Sequence, residues 1–165
     1  MNNFFPRLII FIIAISALYW FFDDAERDDT GAIVSEGDLG VMSLRLGDCL
    51  NDPNISEADE PEAVSSVSAI PCDQPHDFEV YAESDQLFYK QIILPDEEEI
   101  LEKANRFCGV EFENFVGVNL QSSIFTYFYF YPTKKSWSQG DRTISCLLGH
   151  YLGTKLEGSK RGSKI

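Results

Sequence analysis

The sequence is poor in the residues that usually announce chemistry. It has two histidines, two methionines and four cysteines in 165 residues, and no Cys-x-x-Cys pair. The wide cysteine spacing argues against a zinc site, whose ligands come in close pairs. No Ser or Thr sits in a Gly-flanked elbow, so an activated hydroxyl nucleophile has no visible seat. Positive charge is also scarce: 13 Lys and Arg stand against 27 Asp and Glu, a formal net charge of -14. A surface of that sign repels phosphate backbones and excludes nucleic acid as a natural partner. It suits solubility, cations or a basic partner. No internal repeat is present beyond Gly-Asp at 47–48 and 140–141.

What the chain does have is aromatic residues and one long apolar run. Thirteen Phe and seven Tyr supply core material for a single modest domain. Residues 4–22, FFPRLIIFIIAISALYWFF, are interrupted only by Pro6, Arg7 and Ser16. As a helix this run reaches roughly 28 Å, close to the ~30 Å of a bilayer core. Arg7 precedes it, while Asp23, Asp24, Glu26, Asp28 and Asp29 follow. The positive-inside rule then places the N-terminus in the cytoplasm and the rest outside. A cleaved signal peptide is the rival, with Ala14-Ile15-Ser16-Ala17 offering the small-x-small spacing. The apolar run continues past that site through Phe22, which favours an uncleaved single-pass anchor over residues 1–22.

Cys49, Cys72, Cys108 and Cys146 all follow the run, and an even number in an oxidising compartment reads as two disulfides. Three connectivities are open. Sequential pairing, Cys49–Cys72 and Cys108–Cys146, closes two moderate loops and is the expected one. Residues 23–38 are acidic and read as a solvated linker. The domain is expected over 39–153, with a basic, fraying tail at 154–165. Strands are predicted at Val41–Leu46, Val64–Ile70, Asp77–Glu83, Ile124–Tyr131 and Arg142–Leu148, with an unstructured acidic loop at 51–62. That loop carries the weak glycosylation sequon Asn54-Ile55-Ser56. A helix is predicted after Pro95, capped by Asp96, with Ile100, Leu101, Ala104, Phe107 and Cys108 on one stripe and Gly109 as its stop. The fold class is therefore α+β, a small antiparallel sheet with one principal helix behind a transmembrane segment.

The densest polar cluster is Cys72-Asp73-Gln74-Pro75-His76-Asp77-Phe78-Glu79. His76 beside Asp77 and Glu79 could serve as a general base or bind a metal. The plainer reading is that His76 bonds to backbone beside a disulfide and fixes the entry to a strand. Asp48, Asp141 and Arg142 read mainly as turn residues, with Arg142 facing Asp141 or another carboxylate. Trp137 is either a core lid or an exposed anchor for a partner. His150 invites no hypothesis. In the aromatic strand, Phe128 and Phe130 point one way and Tyr127, Tyr129 and Tyr131 the other. Both faces are covered, or one of them is a binding surface.

Taken in order, Gly47-Asp48-Cys49, Ile70-Pro71-Cys72-Asp73-Gln74-Pro75-His76-Asp77-Phe78-Glu79-Val80-Tyr81, Cys108, Tyr131-Pro132, Trp137, Gly140-Asp141-Arg142, Cys146 and Gly158-Ser159-Lys160-Arg161-Gly162 form a pattern. It resembles the septum formation domain family across roughly residues 39–162. The resemblance implies an exported or membrane-anchored domain, as in its chiefly actinobacterial members, and a link to cell division. It implies no known catalytic activity or cofactor, and it supports pairing Cys49 with Cys72. The acidic stretch at 23–38 and the acidic insert at 51–62 depart from the family pattern and bear on the choice of partner. The expected function is accordingly a non-enzymatic accessory or interaction module of the cell envelope, at the membrane, with other envelope or division proteins as partners. Two other classes remain open: a small-molecule binding module built on the aromatic strand, and a hydrolase or metal-dependent enzyme centred on His76.

Overall fold

A computed structural model describes residues 24–51 and 64–165. The apolar run at 1–22 and the loop at 52–63, with its sequon, lie outside the described residues. Among the described residues no helix is long and apolar enough to cross a membrane.

Strands β1 (Glu26–Arg27), β2 (Ile33–Ser35), β3 (Gly37–Gly40), β4 (Cys49–Asn51), β5 (Ser66–Ile70) and β6 (Phe78–Ser84) precede helix α1 (Glu97–Val116). Strand β7 (Phe125–Phe130), the short helix α2 (Lys134–Ser138) and β8 (Ile144–His150) complete the order. Six strands make one antiparallel sheet in the order β3-β5-β4-β6-β8-β7, while β1 and β2 form a separate ribbon. The fold is α+β, as expected, with Cys49 bonded to Cys72 and Cys108 to Cys146.

Helix α1 covers one face of the sheet. Asp96 caps it, accepting from the Glu99 N–H at 2.8 Å, and Glu97–Glu99 sit where the helix dipole favours negative charge. Gly109 does not stop it. The apolar period continues through Phe112, Phe115 and Val116, and packing of that stripe outweighs the weak propensity of one glycine. The helix ends at Gly117, whose φ of 90° a residue with a side chain adopts only at a cost. Cys108 therefore lies mid-helix, on the buried face, and ties α1 to β8 through Cys146.

The helix side of the sheet holds the larger core: Tyr81, Ile100, Cys108, Phe112, Phe125 and Leu148 among others. A bulge between Val80 and Ala82 in β6 turns both Tyr81 and Ala82 into it. Leu44, Leu50, Val67, Phe78, Val80 and Leu147 form a second cluster on the opposite face. The alternation in β7 is as predicted. Tyr127, Tyr129 and Tyr131 pack against the helix-side core, and Phe128 and Phe130 against the other cluster.

Three expectations need correction. Of the stretch 23–38 expected to be a solvated linker, residues 24–38 instead supply β1, β2 and the start of β3, which pairs with β5, and Arg27 meets Asp48. Residues 41–46 are not a strand: Val41–Ser43 form a 3₁₀ turn, and the neighbouring strands are β3 and β4. The tail does not fray. Leu156 is buried and pairs with His76, the Gly162 N–H donates to the Phe115 carbonyl at 2.7 Å, and the Lys164 N–H donates to Val116 at 2.9 Å.

Candidate functional site

The polar residues that stand out in the sequence occupy three separate places. The first is the turn before β6. His76 is fully buried, its Nδ1 lies 2.8 Å from the Gln74 carbonyl, and its backbone exchanges hydrogen bonds with Leu156 at 2.9 and 2.7 Å. Donation from Nδ1 to Gln74 leaves Nε2 as a lone pair, and that atom is buried with no hydrogen-bond partner among the described residues. Burial holds the imidazole pKa below its ordinary value, so the neutral ring is favoured. Asp77 pairs with Lys155 Nζ at 2.8 Å. Glu79, also buried, accepts from the Ser159 hydroxyl at 2.5 Å and from the Lys160 N–H at 2.8 Å. Arg161 then stacks its guanidinium over the Phe115 ring at 4.5 Å.

The segment His76–Glu79 and the segment 158–162 are thus two halves of one tie. A buried carboxylate needs donors, and a lysine- and glycine-rich tail needs something to hold its backbone. Each supplies the other.

The second place is Asp48, which is 3 % exposed. Both its oxygens receive Arg27 of β1 at 2.6 Å, and one also accepts the Arg45 N–H at 2.7 Å. The hydrogen bond to Asp48 raises the Arg27 pKa further, which keeps the guanidinium charged. Sequence reading gave Asp48 a turn role and missed Arg27. The signal was present: a lone arginine in an acidic stretch, ahead of a Gly-Asp-Cys turn.

The third place brings Trp137, Asp141 and Arg142 together. Trp137 is buried and sits on α2, whose capping box is made by Thr133 and Ser136. Its Nε1 donates to the Ile92 carbonyl at 3.1 Å, and its ring packs edge-on to Phe88. Arg142 lies 3.5 Å over the Trp137 ring and donates to the carbonyls of Gln91, Trp137 and Asp141. It does not pair with the Asp141 carboxylate, which instead accepts from the Thr143 N–H at 2.9 Å. The outcome is a firmly held loop whose side chains Ile92 and Ile93 are 89 % and 83 % exposed.

A cleft of about 320 Å³ lies beyond the end of β6, lined by Val41, Leu44, Phe130 and the carboxylates Glu83, Asp85 and Asp141. Glu83 bonds to the Ser145 hydroxyl and to the Leu46 N–H, and burial raises its pKa. Among the described residues no group of three or more His, Cys, Asp or Glu side chains is placed to hold a metal ion. The three places do not converge: His76 and Glu79 face the tail, Asp48 faces β1, and Arg142 faces the loop before α1.

No curated protein and no solved structure shows significant similarity to the chain. The model of the family described as Septum formation matches residues 46–161. That span includes all four disulfide cysteines, the His76–Glu79 segment, Trp137, Arg142 and the tail residues that Glu79 holds. With more than half of its length matched, the chain belongs to the septum formation family.

Proposed function

We propose that the chain is a non-catalytic, membrane-tethered module on the outer side of the cell envelope that binds other envelope proteins during septum formation. The observation that carries this reading is that the side chains a hydrolase would require are engaged in holding the fold. His76 is enclosed beneath the tail, Glu79 has both oxygens bonded to Ser159 and Lys160, and Asp48 is occupied by Arg27. A general base must reach a substrate proton, and these carboxylates and the imidazole are buried, with the one hydroxyl beside Glu79, that of Ser159, donating to it in the tie that holds the tail. Two disulfides support an oxidising compartment, and family membership supports the process. The apolar run at 4–22, with Arg7 before it and acidic residues after it, supports the tether. The reading of β7 as a small-molecule platform loses support because Tyr127 and Tyr129 pack against the helix-side core, Phe128 and Phe130 pack against the other cluster, and the groove beside Tyr129 is open and rimmed by carboxylates rather than an enclosed apolar pocket.

The test replaces His76 by Asn, which keeps a donor near the Gln74 carbonyl but has no imidazole. Cells relying on this variant should place septa normally if the protein is oxidised and correctly located. A folded, correctly located His76→Asn protein that blocks division would favour the enzyme reading.

A further inference from the structure

An interaction module needs a surface, and the sheet offers one at its β7 edge. Among the described residues β7 is terminal in the strand order and pairs only with β8. The opposite edge, β3, is partly covered, because the Ala25 N–H donates to the Asp38 carbonyl at 3.1 Å and Asp24 bridges Asp38. Register fixes which groups of β7 are free. The Tyr151 N–H donates to the Ile124 carbonyl at 3.1 Å, one step beyond the Phe125–His150 pair. In an antiparallel ladder hydrogen-bonded pairs alternate, so Thr126, Phe128 and Phe130 direct their main chains at β8. Tyr127 and Tyr129 direct theirs outward. The Phe125 N–H is taken by the Ser123 hydroxyl at 3.1 Å. Nothing within Phe125–Phe130 guards this edge: it has no proline, lysine or bulge. Solvent access agrees, since β7 is half-buried from Thr126 to Phe130 while β8 is buried from Ile144 to Gly149.

Beside the edge, between β7 and α1, runs an open groove of about 540 Å³. Leu101 and Tyr129 line it together with Glu97, Glu98, Glu102 and Asn105. Spacings of four along α1 set these residues on one face. Two contacts brace the groove: the Tyr131 hydroxyl donates to Glu97 at 3.3 Å, and the Tyr127 hydroxyl donates to the Asn105 side chain at 2.8 Å. Glu102 also pairs with Arg106 on the exposed helix surface at 2.5 Å, a pair that solvent and salt weaken. The groove therefore joins unpaired strand groups on one side to a row of carboxylates with an apolar floor on the other.

Building on the interaction-module reading, we propose that β7 and the acidic face of α1 take up an extended segment of a partner protein as a seventh strand, with Lys or Arg at alternate positions. Main-chain bonds to Tyr127 and Tyr129 would supply affinity, and the carboxylates would select the basic side chains that point towards the helix. A second copy of this chain is a poor occupant. Pairing β7 with β7 would bring two sets of Glu97, Glu98 and Glu102 together in a protein already carrying a net charge of -14.

The test uses the full-length chain in mild detergent and three short labelled peptides. One alternates lysine with valine or threonine, one has glutamate in place of lysine, and one is the lysine peptide N-methylated at alternate residues so that it cannot join a sheet. The lysine peptide should bind, with amide exchange slowed at Tyr127 and Tyr129 and little changed at Thr126 and Phe128. The other two peptides, and the variant E98K/E102K with the lysine peptide, should bind roughly tenfold more weakly or worse. Equal binding of the N-methylated peptide would reduce the effect to charge attraction and overturn the proposal. So would absence of binding, protection elsewhere, or a concentration-dependent dimer that excludes the peptide. Because Ile92 and Ile93 are a separate exposed surface, contacts captured there in cells would leave the module reading standing while this site failed.

Discussion

Replacing Arg27 by Ala separates a folded N-terminal ribbon from a passive linker. Asp48 is 3 % exposed and Arg27 15 %, and two charge-assisted bonds at 2.6 Å join them. Removing the guanidinium leaves a buried carboxylate with the Arg45 N–H as its remaining donor. Breaking a buried pair costs about 3–5 kcal/mol, because the stranded charge keeps its desolvation penalty. Arg27 is partly solvated and Asp48 retains one bond, so the expected loss is about 2–4 kcal/mol. At about 1.5 kcal/mol per molar urea, a loss near the middle of that range lowers the unfolding midpoint by about 2 M. Urea titration of the oxidised protein, followed by tyrosine and tryptophan fluorescence, reads this directly. Asp48→Asn should also destabilise, and the double variant should lose less than the sum, with a coupling of about 1.5 kcal/mol or more. A change below about 0.5 kcal/mol for Arg27→Ala is what a surface substitution gives. That result would refute the ribbon's role in the fold.

Four further outcomes follow from the same geometry. Cys108→Ala with Cys146→Ala frees α1 from β8 and should cost about 3–4 kcal/mol by calorimetry or urea titration, as the closed loop is moderate in length. Gly149→Ala places a methyl group 2.8 Å from the Phe78 ring, which is packed edge-on against Phe128, and should cost about 1–3 kcal/mol in the same assay. His76 has a lowered folded pKa, so the unfolded chain binds its proton more readily. Its contribution to stability is full above about pH 6.5 and is lost as pH falls from there through the folded pKa. His76→Asn should remove that component from the stability difference between pH 7.5 and 5, and an unchanged slope would contradict it. Glu79→Gln should release the tail, seen as faster amide exchange at Lys160, Gly162 and Lys164 with β6 still protected.

The legible parts of the fold were those with local signals. Asp96 followed by three glutamates marks a helix start because capping and the dipole act within one turn. The Phe/Tyr alternation at 125–131 marks a strand that packs side chains on both faces because the side-chain period is two. Cysteine count implied two bridges with three connectivities open, and the sequential pairing, which the family resemblance supports for Cys49–Cys72, is the one formed. The illegible parts depend on partners far away in sequence. Strands β1–β3 are two to four residues long and offer no period to read, and Arg27 meets Asp48 only through a fold that spans 21 residues of separation. The tail reads as loose because its lysines and glycines have no local partners, while Glu79, 80 residues earlier, supplies one. Gly109 misleads because propensity is local and the packing of Phe112 and Phe115 is not. In the candidate site, the grouping His76-Asp77-Glu79 was visible, while the partners of the three side chains, Gln74, Lys155 and the segment Ser159–Lys160, lie mostly far away in sequence. The open β7 edge was not visible at all, since a strand's neighbours are set by topology.

The most direct test of the account is site-specific photocrosslinking in dividing cells, with the reactive group placed in turn at Ile93 and at Leu101. The account predicts discrete adducts with septal or wall-synthesis proteins, formed outside the membrane and lost when the group is moved to the buried position Leu148. Adducts with small molecules alone, or none from an abundant, oxidised and correctly placed protein, would contradict it.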